Sequence, residues 1–290
     1  MGELSMFSVQ QVFHVSHVVD DLDAAVAWYD DVFSPRVWQR TDLFGTQLAL
    51  LVIGDTVLMP MSPPEHEAAS TRRFLTRNGQ HLHSLALYVD DPVDLIEHLR
   101  GMGLRLTGSS GGELEDPNDE IWTQPRETPV VLELFQPRES MQDPRHESDW
   151  SSSYWRDEHP LAIRDACYTV VTDDLAGATK FFVDAMHGKV VVAEADTPYA
   201  TRSAFVQLGD NVTIEVAEPS DPASGAERDL AARTSFHAVT FQVADLARAV
   251  AHVEAKGITA ERVADGHVAL DPGDTLGVQF RLTDRTVGEW

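Results

Sequence analysis

Two histidines, His14 and His17, sit three residues apart in the apolar run FHVSHVVDDLDAAVAWYDDVF at 13–33. Imidazoles so placed are either metal ligands or hydrogen-bonded core residues. Side chains alternate along a strand, so a spacing of three puts them on opposite faces. His14 goes with Ser16 and Val18, and His17 with Val15 and Val19. They are therefore not a ligand pair. The helix that follows packs on Val15 and Val19, which leaves His14 as the candidate ligand and His17 as the core residue. Glu133, in PVVLELFQ at 129–136, shares its face with Val131 and Phe135. A carboxylate in an apolar strand needs a cation or strong hydrogen bonds. A metal at His14 and Glu133 meets that need, and zinc, iron, manganese, cobalt and nickel all accept nitrogen and oxygen donors.

Two further stretches bear on binding. In QHLHS at 80–84, His81 and His83 share the face opposite Ser84, and a bulge at the strand start would turn His83 to the Ser84 side. TRRFLTR at 71–77 holds Arg72, Arg73 and Arg77 in a chain short of basic residues. They form either a solvated helix face or an anion clamp for a carboxylate, phosphate or coenzyme A. SSGG at 109–112 is a flexible loop without a phosphate-binding pattern, and there is no nucleophile elbow, dinucleotide fingerprint or paired-cysteine metal motif.

The elements that position these residues repeat. Asp20-Asp21-Leu22 recurs as Asp173-Asp174-Leu175, and His83, His98 and Gly103 recur 154 residues later as His237, His252 and Gly257. The match of His83 to His237 favours a structural role for both. A weaker repeat divides each half. In all four units an alternating strand leads to an Asp, a helix of about three turns and three short strands. The first helix is capped by Asp20 or Asp21 and buries Leu22, Ala25, Val26, Tyr29 and Phe33. Its three strands run 36–41, 46–53 and 56–61. The second helix opens with Asp91-Pro92, and Gly257 ends the fourth. The segment 139–160, polar and broken by prolines, reads as a linker that Trp150, Tyr154 and Trp155 pack onto a domain.

The bulk composition excludes several classes. Asp and Glu number 47 against 22 Lys and Arg, a net charge of −25 that repels nucleic acid and anionic membranes. No run is long and apolar enough to span a bilayer, and MGELSMFSVQ does not read as a leader. One cysteine, Cys167, fits a reducing compartment, so a cytoplasmic location is expected.

Taken together, HVSHVVDDLDAAVAWYDDVF, HLHSLALYVDDPVDLIEHL, PVVLELFQP, CYTVVTDDLAGATKFF and FHAVTFQVADLARAV resemble the vicinal oxygen chelate superfamily, which includes glyoxalase I, methylmalonyl-CoA epimerase, extradiol dioxygenases and bleomycin-resistance proteins. The resemblance implies an α+β fold of four βαβββ modules paired into two cup-shaped, eight-stranded mixed-sheet domains. These are 8–138 (modules 8–64 and 80–138) and 161–286 (modules 161–219 and 233–284). It implies one divalent metal in the N-terminal cup, ligated by His14, Glu133 and His83. Ser84 stands where a second histidine is usual, with His83 beside it. Glu133 and His83 are the expected catalytic groups; Ser84, Arg72, Arg73 and Arg77 are the expected substrate contacts. In the second cup the matching positions are Cys167, Glu215, Ala238 and Arg281, and Glu215 and Arg281 are expected to pair. The implied function is epimerase, isomerase or lyase chemistry on a small carbonyl or acyl-CoA compound. The alternatives are a metal-free, bleomycin-resistance-like binder and, less well matched, an extradiol dioxygenase. A small-molecule substrate is the expected partner, without nucleic acid or membrane, and a homodimer is left open.

Overall fold

The computed structural model describes residues 7–43, 45–65 and 69–289; the start of the stretch read for a leader lies outside them. The first sheet contains β1 (Val9–Val18), β2 (Arg36–Leu43), β3 (Thr46–Ile53), β4 (Thr56–Ser62), β5 (His81–Val89), β6 (Ile121–Trp122) and β7 (Val131–Phe135). Their order is β2-β3-β4-β1-β5-β7-β6, with β1 antiparallel to β5 at the centre. The second sheet contains β8 (Ile163–Val171), β9 (Lys189–Thr197), β10 (Thr201–Leu208), β11 (Val212–Pro219), β12 (Phe236–Val243), β13 (Ala260–Ala264), β14 (His267–Leu270) and β15 (Gln279–Thr283). Its order, β13-β14-β15-β12-β8-β11-β10-β9, repeats the first plan with one strand more.

Among the described residues the first sheet has seven strands where eight were expected. The position matching β13 is reduced to Thr107, which makes single bridges to Glu113 and Trp122. Residues 108–120, GSSGGELEDPNDE, lack the apolar alternation that holds a strand to a sheet.

Each module helix starts on an aspartate. Asp21, Asp91, Asp174 and Asp245 accept backbone N–H bonds at the starts of α1 (Leu22–Phe33), α3 (Pro92–Gly101), α4 (Leu175–Ala185) and α6 (Leu246–Ala255). The connecting helices are α2 (Ser70–Asn78) and α5 (Gly225–Ala232). The helix-bearing faces of both sheets merge into one core. Phe33 of α1 packs 5.7 Å from Phe241 and 5.5 Å from Phe280 of the other sheet. A matched pair of bonds closes this junction. His98 Nε2 donates to the Asp184 carbonyl, and its repeat mate His252 donates to the Val32 carbonyl. The repeated histidine therefore joins the halves.

The 139–160 segment packs against both halves. Trp155 is buried and its indole N–H donates to Phe33 O. Arg145, paired with buried Asp143, donates to the carbonyls of Val12, Phe13 and Asp55.

Candidate active site in the N-terminal cup

Two bulges shape the face of the first sheet away from the helices. Val12 pairs with Leu87 and His14 with Ala86, so Phe13 is an extra residue in β1. Phe13 and His14 then lie together, 4.5 Å between ring centres, and Arg145 caps the carbonyls at the bulge. On β5, Ser16 pairs with Ser84 and His17 with Leu82, leaving His83 as the extra residue. The bulge expected near His83 is present.

These distortions converge on Glu133. Its Oε1 accepts from the hydroxyls of Ser16, at 3.0 Å, and Ser84, and its Oε2 lies 3.3 Å from His14 Nε2. Burial alone would raise this carboxyl. The interaction with His14 and the hydrogen bonds that His14 and Ser84 donate outweigh it and hold Glu133 below the ordinary range. His14 Nδ1 is buried and has no partner among the described residues. His83 sits behind Ser84, with Nδ1 2.8 Å from its hydroxyl, and burial pushes its pKa down. Because Ser84 donates to Glu133, its oxygen accepts from His83. Phe13, Tyr88 and Phe135 form an aromatic wall beside His14, joined by Trp38.

His17 is on the other face, as alternation requires. Its Nδ1 accepts from the Tyr29 hydroxyl and its Nε2 donates to Leu276 O. Burial drives its pKa down to about 3, so it is neutral. His81 leaves the cup for Asp229 of α5, whose same oxygen binds His237 Nδ1. Arg72 donates to the Pro63 and Pro64 carbonyls, and it lines a surface depression with Arg73 and Arg77.

Glu120 escaped the sequence reading because it ends the strandless 108–120 loop. Trp122 is the cross-strand partner of Glu133, and its indole donates to Glu120 Oε2 at 3.3 Å. Burial, then the charge of Glu133, raises the Glu120 carboxyl. Two carboxyls on one face are thus pushed in opposite directions.

The donor set does not fit the three-ligand metal centre that the family pattern implies. Among the described residues no group of three His, Cys, Asp or Glu side chains converges. His83 reaches Glu133 only through Ser84, and hydroxyl protons already occupy Glu133 Oε1. The carboxylate in the apolar strand is satisfied by hydrogen bonds.

In the second cup, Glu215 and Arg281 pair at 3.0 Å, as expected. Thr169, at 2.6 Å, and Ser203, at 2.7 Å, also donate to Glu215. The guanidinium lies 4.1 Å from the centre of the Tyr199 ring.

The architecture defines a protein of paired cups, each with strands from two modules. Two family models described as the glyoxalase/bleomycin resistance protein/dioxygenase superfamily match residues 11–124 and 168–271, and the chain belongs to this superfamily. No curated protein matches the chain. A triple mutant of 4-hydroxymandelate synthase from Streptomyces coelicolor aligns over 94% of this chain and 92% of its own, at 12% identity and a TM-score of 0.67. A xylose isomerase-like TIM barrel/4-hydroxyphenylpyruvate dioxygenase fusion protein aligns over 98% and 50%, at 15% identity and a TM-score of 0.61. Methylmalonyl-CoA epimerase from Mycobacterium tuberculosis aligns over 49% and 96%, at 25% identity and a TM-score of 0.40. At 12% and 15% identity, the two whole-length likenesses speak to the fold alone. Among the described residues no helix is long and apolar enough to cross a membrane.

Proposed function

We propose that the N-terminal cup is an active site that moves a proton on a small, mostly apolar carbonyl compound, using side chains rather than a three-ligand metal centre. The observation that carries this reading is the His14 imidazole: Nε2 faces Glu133, while Nδ1 is buried and unpartnered. A carboxylate holding one imidazole nitrogen fixes the ring and stabilises the imidazolium formed when the other takes a proton. Hydrogen bonds from His14 and Ser84 hold the Glu133 carboxyl down, Ser16 donates to the same oxygen as Ser84, and His83 keeps Ser84 in place. His14 Nδ1 takes the proton alpha to the carbonyl. Glu120, with its raised carboxyl, is the second proton carrier. Return of the proton to another face or atom gives epimerisation or isomerisation. The aromatic wall of Phe13, Tyr88 and Phe135 suits an aromatic or branched substrate body.

Hydrogen–deuterium exchange into phenylacetone, followed by NMR in D2O with chelator-treated protein, tests this. Exchange should exceed the buffer rate and fall by about 10²–10⁴ in His14→Gln, the usual contribution of a general base. Exchange that is unchanged in His14→Gln, or that stops on chelation and returns with added metal, overturns the reading.

A further inference from the structure

On the Cys167 side of the Glu215–Arg281 pair, the second cup keeps a cavity of about 130 Å³. Cys167, Thr213, Thr240, Gln242, Thr283 and Arg285 are among the residues that line it. Thr240 is 1% exposed, and its hydroxyl has no partner among the described residues. The sheet register holds Thr240 opposite Cys167 on one side and Arg281 on the other.

The first cup shows what a filled version of this space looks like. Ala86 there pairs with His14 and Glu133, as Thr240 pairs with Cys167 and Arg281. Two residues further along these strands, Tyr88 and Phe135 stand where the second cup has Gln242 and Thr283. Their rings, with Phe13, form a hydrophobic cluster. Where the first cup has two rings, the second has an amide and a hydroxyl at the wall of a cavity. A gap left by imperfect packing is apolar and dry, whereas a buried hydroxyl without a partner is costly.

We propose that this cavity binds a small, uncharged, hydroxyl-bearing molecule, a compact polyol or hydroxycarbonyl of about six heavy atoms, the size class that a cavity of about 150 Å³ accommodates. Threonine hydroxyls both donate and accept, which matches a ligand whose own hydroxyls do the same. The charged groups nearby do not call for an ionic ligand. Arg281 is paired with Glu215, and Arg285 with Asp265 at 2.8 Å. Asp165, also at the wall, accepts from the Ala166 N–H. The site is separate from His14 and Glu133 and does not depend on the chemistry proposed for them.

Cys167 is the single cysteine, so alkylation of the intact protein reports on this cavity. Iodoacetamide labelling is followed by mass spectrometry with glycerol as the ligand, sucrose at equal osmolality as an excluded polyol, and acetate as a charged probe. Glycerol should slow labelling at least five-fold, and sucrose and acetate should not. Thr240→Val, which keeps the shape but removes the hydroxyl, should lose most of the glycerol protection. Gln242→Tyr, which introduces the first cup's residue, should slow labelling without glycerol; circular dichroism checks that both variants fold. Equal protection by glycerol and sucrose, protection by acetate, or full glycerol protection in Thr240→Val would overturn the proposal.

Discussion

In the first cup the carboxylate stands on β7, as Glu133, and an imidazole faces it. In the second it stands on β11, as Glu215, and Arg281 occupies the place of Glu133 opposite the centre of β12. Both carboxylates are buried and both collect serine or threonine hydroxyls. The difference lies in the nitrogen group that faces each carboxylate. A guanidinium has no acceptor and stays charged, so the pair it makes is closed. An imidazole has a second nitrogen, and in the first cup that nitrogen is left over. One strand frame therefore supports a locked ion pair in one half and a group able to exchange protons in the other.

The largest test of this contrast is removal of one charge from the locked pair. Arg281→Met should destabilise the protein by about 3–5 kcal/mol, because it strands Glu215 in the interior. Adding Glu215→Met should recover much of that loss in urea denaturation. A single-variant loss below about 1 kcal/mol, the scale of an exposed pair, would mean that the pair is not sealed from water.

A second test uses position 17, which is His17 in the first half and Val170 at the repeated place in the second. The folded His17 pKa lies at about 3 against 6.5 in the free side chain. Below 6.5 the unfolded chain takes up a proton that the folded one refuses, so this contribution is lost as pH falls from 6.5 toward 3. His17→Gln should therefore flatten the acid side of the stability curve by about 1.4 kcal/mol per pH unit between pH 6 and 4. Parallel curves for parent and variant would show that His17 titrates normally.

Glu133→Gln should have a smaller effect, about 1–3 kcal/mol, because an amide oxygen still accepts from Ser16 and Ser84. The parent's carboxyl is depressed, so its stabilisation is present above the free value of 4.5 and is lost as pH falls through its folded pKa. Glu133→Gln should remove this acid sensitivity, and Arg281→Met should exceed it in cost at pH 7. The reverse order would erase the distinction between the cups. The smallest expected change is at the helix starts: Asp91→Ala and Asp245→Ala should each lower stability by about 1 kcal/mol, equally in the two halves. Unequal losses, read by thermal unfolding, would show that the halves share less of their frame than the matched caps indicate.

Much of the frame was legible in the residues. The four aspartates, the 3.6-residue apolar spacing after them and the 154-residue recurrence predicted the module helices and their order. Alternation separated His14 from His17. The Glu215–Arg281 pair followed from two buried, opposite charges at related strand positions. The metal expectation came from residue types and from the family resemblance, and neither says which groups converge. Ser84 faces Glu133, as a ligand at that position would, but it brings a hydroxyl, and the bulge that turns His83 stops it behind that hydroxyl. The 108–120 loop gave no periodic signal, so the lost eighth strand and the placement of Glu120 were hidden.

Local chemistry decided whatever depends on neighbours in the chain: which segments coil, where they start and which face is apolar. These follow from periods and caps set by covalent geometry. Long-range contact decided the rest. Whether Glu133 meets a metal or two hydroxyls, whether His14 keeps a free nitrogen and whether the second cup keeps its cavity depend on bulges and side chains more than a hundred residues apart. A bulge shifts register by one residue, and in a strand one residue exchanges the two faces.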